Sequence, residues 1–225
     1  MLENFSSDTL LLGLTWYVVF LFSTTCHEAA HALAAKLGGD LTAFHSGQVT
    51  LDPRPHIRRE PFGMVLFPIL TFLVGGWMMG WASAPYDPLW AQRHPRRAAW
   101  MSLAGPAANF VLVVLSGIAM RIAIQFHLLK GDTGTIEGIS TLLGIMFSLN
   151  LLLCVFNLLP LPPLDGFSAI GLLLPESAAE SLQSLGMRMR GFSMFGLLIA
   201  WRIFDPIFEP IHQRALRLLY LGLGS

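Results

Sequence analysis

Five apolar stretches organise this chain: residues 10–37, 62–82, 98–129, 138–161 and 191–223. A helix needs about 20 consecutive apolar residues to cross a bilayer. The first, third and fourth stretches meet that length. The second is marginal and carries Pro68, Gly75, Gly76 and Gly80, which weaken a helix interior. The fifth is interrupted by Pro206 and Pro210, so it predicts one span from Gly191 to about Phe204 and an amphipathic tail with Arg214 and Arg217. Composition agrees. Hydrophobic residues make up 54% of the 225 and charged residues only 12%, about half the charge of an ordinary soluble domain. Too little polar surface remains to clothe a water-facing globule. The expected fold is an all-α polytopic membrane protein, a helical bundle of about 4–6 transmembrane segments.

The polar remainder is small. Fourteen basic and fourteen acidic residues balance to zero, so no nucleic-acid partner is expected. Cys26 and Cys154 both lie in apolar runs and form neither a disulfide framework nor a CxxC site. Residues 1–8 contain Glu3 and Asp8 but no Lys or Arg. They lack the basic start of a cleaved signal peptide, and the first apolar run is expected to be retained. No repeat, low-complexity tract or separate soluble region stands out. A single membrane-embedded domain over residues 1–225 is expected, with a core at residues 10–175 and C-terminal helices at 176–225.

Two polar loops interrupt the apolar pattern. In the first, residues 42–51 (TAFHSGQVTL) place β-branched and aromatic residues around a glycine. That predicts a short hairpin-like loop after the first span, with an irregular loop the equal alternative. The second, residues 86–97 (YDPLWAQRHPRR), holds two prolines and three arginines.

Chemistry concentrates in CHEAAH, residues 26–31. On a helix His27 and His31 are four apart and share a face, so both imidazoles can bind one zinc. Glu28 adjoins the first ligand, where its carboxylate can act as general base on an attacking water. Two histidines and a glutamate inside an apolar run are expensive unless they have partners or a task. The competing reading is a hydrogen-bonded polar cluster between helices.

A catalytic zinc usually takes three protein ligands and keeps one position open. Asp165 is the best candidate for the third. It follows Pro160, Pro162 and Pro163 at the end of the fourth stretch, where no ordinary helix can continue. Non-helical backbone at membrane depth is tolerated only where it is buried or lines a wet cavity. The same residues would also suit a helix end at the interface, with Asp165 in a turn.

Three segments together resemble the site-2 protease family of intramembrane zinc metalloproteases, peptidase family M50. They are HEAAH at residues 27–31, LAGPAANF at 103–110 and FNLLPLPPLDG at 156–166. Residues 47–63 (GQVTLDPRPHIRREPFG) and 81–97 (WASAPYDPLWAQRHPRR) are similar to loops of the family's small branch, which lacks PDZ and CBS domains. The chain departs from that branch at residues 57–63, IRREPFG, where IDPIG is frequent. The resemblance implies one Zn2+ per chain held by His27, His31 and Asp165, with Glu28 as general base. It implies that Asn157 contacts substrate or the oxyanion. Asn109 looks like a helix-packing residue, with Gly105 and Pro106 permitting close approach. Among the other histidines, His56 is notable because it lies in a matched loop. Arg121 and Arg202, near the ends of apolar runs, suit snorkelling.

The implied activity is hydrolysis of peptide bonds within or near transmembrane segments of membrane-protein substrates. Bilayer lipid and a substrate transmembrane helix are the expected partners, and a homo-oligomer is compatible with the sequence. Residues 42–51 would capture the unwound substrate by strand addition. A catalytically silent relative would be expected to lose Glu28, and a metal transporter to spread ligands along a path; the chain keeps Glu28 and concentrates its ligands in one cluster. From Leu10 to His27 is about 26 Å of helix, so the histidines lie near the end of the first span. Asp165 likewise follows the end of its span. To share one metal the two spans must run the same way, with the third stretch crossing between them and the second entering and returning. Lys36, Arg54, Arg58, Arg59, Arg93, Arg96 and Arg97 then face one side, the cytoplasm of an inner membrane, with the zinc site toward it.

Overall fold

The computed structural model describes residues 6–128 and 134–221. Residues 1–5, on which the retained-leader argument partly rests, and the ends of the third and fifth stretches at 129 and 222–223 lie outside the described residues.

Helix α1 (Ser7–Gly38) opens at Ser6, whose side chain accepts from the Thr9 N–H, with Asp8 in the first turn. Both features complement the exposed N–H groups and positive dipole of a helix start. It stops at Gly39, where φ is +98°, a conformation glycine adopts without steric cost. Helix α6 (Pro95–Gln125) begins with a proline in its first turn, where the missing N–H costs nothing. Helix α7 (Gly134–Asn157) ends just before the proline cluster. These three are long and apolar enough to cross a membrane.

Side-chain bonds give their directions. His31 and His27 of α1 meet Met101 and Asn109 of α6, so position falls on one helix as it rises on the other. The pair is antiparallel. Ser23 meets Asn150 of α7, and His27 meets Asp165 beyond it, so α1 and α7 run the same way. This matches the expected arrangement of spans one, three and four.

The shorter elements bring corrections. Residues 42–51 form no hairpin: Thr42–His45 is a helical turn, α2, and no strand occurs among the described residues. The cause is Asp40, whose Oδ1 accepts from both the Thr42 N–H (2.9 Å) and the Thr42 hydroxyl. A local carboxylate cap outweighs the β-propensity of the segment. Helix α3 (Pro53–Arg59) has Asp52 itself as its N-cap, with the side chain accepting from the Arg54 N–H. The second stretch is a π-helical turn, Phe62–Leu66, running into α4 (Phe67–Gly75), after which residues 78–87 form an irregular, non-helical segment. Helix α5 (Pro88–Arg93) leads into α6. Beyond α7 come α8 (Asp165–Ala169), α9 (Glu176–Arg188) and α10 (Ser193–Tyr220).

Helix α10 is continuous through Pro206 and Pro210 where the sequence predicts a break. Phe204, Phe208, Ile211, Ala215 and Leu219 lay one stripe against α6, α7 and the turn after α7. At its far end Arg121 of α6 donates to the carbonyls of Leu218, Leu219 and Leu221. Arg121 therefore caps a helix terminus, which replaces the snorkelling reading. Packing and capping offset the roughly 3 kcal/mol that an interior proline costs. Among the described residues three helices are long and apolar enough to cross a membrane, or four if the bent pair α9 and α10 counts as one, so the 4–6 segments expected from sequence are not established.

Candidate metal centre

His27 and His31 project from one face of α1, with their Nε2 atoms 3.0 Å apart. Asp165 Oδ2 lies 3.1 Å from His27 Nε2 and 3.3 Å from His31 Nε2. No other group of three or more His, Cys, Asp or Glu side chains among the described residues converges in this way. Tetrahedral zinc with ligands at about 2.0–2.1 Å separates its ligand atoms by about 3.3 Å. The triangle has nearly that edge. Each histidine commits its other nitrogen: His27 Nδ1 to Asn109 Oδ1 (2.5 Å) and His31 Nδ1 to the Met101 carbonyl (2.7 Å). A carbonyl oxygen only accepts, so His31 Nδ1 carries the proton and its Nε2 presents a lone pair. Such bonds orient metal-binding histidines. The floor of the site is Gly105 of α6; a Cβ built there falls on both Nε2 atoms. Donor set, spacing and this glycine cradle all fit a zinc ion.

Asp165 is delivered by the turn after α7. Leu161 N–H bonds to the Leu159 carbonyl and Leu164 N–H to the Leu161 carbonyl, both at 2.8 Å, tightening the chain between its prolines. Gly166 then packs so closely that a Cβ would strike the Leu158 and Leu159 carbonyls. α8 begins at Asp165 and aims its carboxylate back at α1. Proline-enforced departure from helix brings together residues 27, 31 and 165, as the sequence predicts.

Beside the triangle opens a cavity of about 240 Å³. Glu28 is buried and lines it, as do Ser83, Ala84, Asn157, Ser168 and Gln183. The Asn157 Nδ2 donates to the Leu153 carbonyl at 2.9 Å, so its amide is held at the cavity wall. His56, noted in a matched loop, lies apart. It is buried in α3, and its Nε2 donates to the Thr50 carbonyl.

One role differs from expectation. Asn109 is in hydrogen-bond contact with His27 and is not merely a packing residue. Asn150 and Ser23, given no role from sequence, continue the same chain of bonds. The available signal was an asparagine in the middle of each of two apolar runs, since a buried amide needs a partner.

The family model for peptidase family M50 matches residues 15–199. The chain belongs to peptidase family M50. It is a zinc metalloprotease of the site-2 protease type, as its relatives' names also indicate. The Bacillus subtilis protein YwhC, named as a candidate zinc metalloprotease, is 30% identical over 212 residues, covering 86% of this chain and 92% of that protein. The Mycobacterium tuberculosis protein Rip2, named likewise, is 34% identical over 183 residues. That alignment covers 80% of this chain and 64% of Rip2. No solved structure matches this chain.

Proposed function

We propose that this M50 metalloprotease cuts peptide bonds within or near transmembrane segments of membrane-protein substrates. His27, His31 and Asp165 would hold the zinc. The single observation that carries the reading is the His27–His31–Asp165 triangle, open to a cavity and framed by helices of membrane-crossing length. Bound zinc supplies a Lewis acid that polarises a carbonyl and acidifies water. Glu28, adjoining His27 on the cavity wall, takes the proton of the attacking water and passes it to the leaving amine. Asn157, at the same wall, keeps its bond to the Leu153 carbonyl and offers its second amide N–H to the developing oxyanion.

The substrate enters extended. Residues 42–51 are a helical turn, α2, followed by irregular chain, and form no strand. Non-helical backbone lies instead at residues 82–84, which line the cavity, and we assign the capture of an extended substrate to that segment. We further read residues 1–225 as one catalytic unit with its core at about residues 10–175. The seven bases from Lys36 to Arg97 support a zinc site toward the cytoplasmic side of the cell membrane. Cysteine labelling of the 86–97 loop from the outside would overturn that orientation.

Glu28→Gln tests the chemistry. It is expected to abolish cleavage while zinc content stays near one per chain, and the difference between membrane proteomes with and without the substitution reports the substrates. Cleavage that survives Glu28→Gln rejects Glu28 as the base.

A further inference from the structure

Ser23, Asn109 and Asn150 sit on three different helices, and each is completely buried at 0% exposure in the apolar interior. The Asn150 Nδ2 donates to the Met146 carbonyl at 2.8 Å and to Ser23 Oγ at 2.9 Å. Its Oδ1 is thereby turned toward α6 and accepts from Asn109 Nδ2 at 2.8 Å. The second Asn109 N–H points at the Ser23 carbonyl, 3.5 Å away. Asn109 Oδ1 is left facing His27 Nδ1 at 2.5 Å.

The chain of bonds has one direction. It starts from the Met146 carbonyl, which can only accept, so the Asn150 amide cannot turn over without setting two oxygens against each other. The Asn109 amide cannot turn over either, because its Nδ2 would abandon Asn150 Oδ1 and leave a buried acceptor unmet. An oxygen therefore faces His27 Nδ1, which must carry the proton. His27 Nε2 is left bare toward His31 and Asp165. His31 reaches the same state in one step through the Met101 carbonyl.

We infer that Asn109 and Asn150 are positioning residues that fix the tautomer and ring orientation of His27 for zinc. The inference rests on His27 being a zinc ligand. A purely structural role, polar contact joining three helices, would change the stability of the metal-free protein but not its affinity for zinc.

The test measures zinc affinity of the purified full chain by competition with a chelator, together with thermal stability of the metal-free form and the visible spectrum of the Co2+-substituted form. Asn109→Leu is expected to weaken zinc binding by about 10–100-fold, the range for partners of metal-bound histidines. Asn109→Asp keeps an acceptor facing His27 and should hold affinity within a few-fold of the native chain, with the Co2+ spectrum preserved. Asn150→Leu frees the Asn109 amide to turn and should weaken binding by about tenfold. His27→Ala is the control. If His27→Ala loses zinc but Asn109→Leu does not, the positioning role is overturned. If Asn109→Asp loses as much affinity as Asn109→Leu, the acceptor role is overturned. If His27→Ala retains full affinity, the ligand reading itself fails and takes this inference with it. Should Asn109→Leu not fold, Asn109→Asp and Asn150→Leu still decide between the two roles.

Discussion

Two non-helical segments meet the cavity, and they are held in opposite ways. Residues 158–164 are fastened along their whole length. Three prolines, two internal hydrogen bonds and the close approach of Gly166 to Leu158 leave the turn little freedom. Gly196 of α10 presses against the Pro162 carbonyl from outside. Residues 78–87 are fastened through their backbone near the ends and, in the middle, only through the Ser83 hydroxyl, which donates to Glu60 Oε1 at 2.6 Å and accepts from Arg59 Nε. Met79 N–H donates to Thr71 Oγ1, Trp81 N–H to the Gly63 carbonyl, and Asp87 N–H to Asp40 Oδ2. Between these anchors, residues 82–84 line the cavity. A metal ligand has to be immobile to within a few tenths of an ångström. A segment that receives a peptide has to keep its backbone available. On the proposed function the first segment would hold and the second would receive.

That division predicts which function each segment loses. The largest effect belongs to the fastened turn. Asp165→Ala should remove cleavage and most bound zinc together. Asp165→Asn should also cost activity, because a neutral amide is a poorer ligand for a divalent ion. Metal analysis beside a cleavage assay checks both. Unchanged zinc and activity in both variants would place the third ligand elsewhere and dissolve the contrast.

A smaller and different loss is expected from the receiving segment. A Cβ on Gly80 would run into the Gly63 carbonyl, the Phe20 ring and Pro68, so Gly80→Ala must shift the segment that continues to residues 82–84. A displacement of about 1 Å at a positioning element can cost around 100-fold in rate. Zinc content should stay at the native level while kcat/KM falls. Loss of zinc with Gly80→Ala would show that the two segments are not separable.

The contrast also explains what was legible beforehand. The His27–Glu28–His31 pattern could be read because four-residue spacing on one helix is a local property. Asp165 could be read because prolines restrict backbone absolutely, whatever surrounds them. The hairpin at 42–51 failed because propensity is weak and a single carboxylate, Asp40, sufficed to turn the chain into helix. The break at Pro206 failed because Phe204 and Phe208, on either side of it, pack with Leu159 and Leu164, some forty residues away in sequence. The role of Asn109 was hidden because it depends on the register between α1 and α6. Nothing local sets Asn109 opposite His27 and Met101 opposite His31.

The smallest predicted effect lies in the substrate. If residues 82–84 receive an extended peptide, a substrate helix must first release internal hydrogen bonds. Each is worth only about 0.5–1.5 kcal/mol net in water, but an unmet backbone group in hydrocarbon costs several kcal/mol. A glycine near the cut lowers the barrier, since it disfavours helix by about 1 kcal/mol relative to a good helix former. Replacing one such glycine by leucine should therefore slow cleavage by about fivefold, because 1.4 kcal/mol is tenfold in rate. Membrane insertion should be unaffected, as leucine is at least as apolar. The measurement is a substrate pair differing at that one position, assayed in detergent and in bilayer. The bilayer should show the larger ratio, since detergent admits water to the released backbone. Equal rates in both media would mean that unwinding does not limit the reaction. Residues 78–87 would then be a wall of the cavity and not its receiving edge.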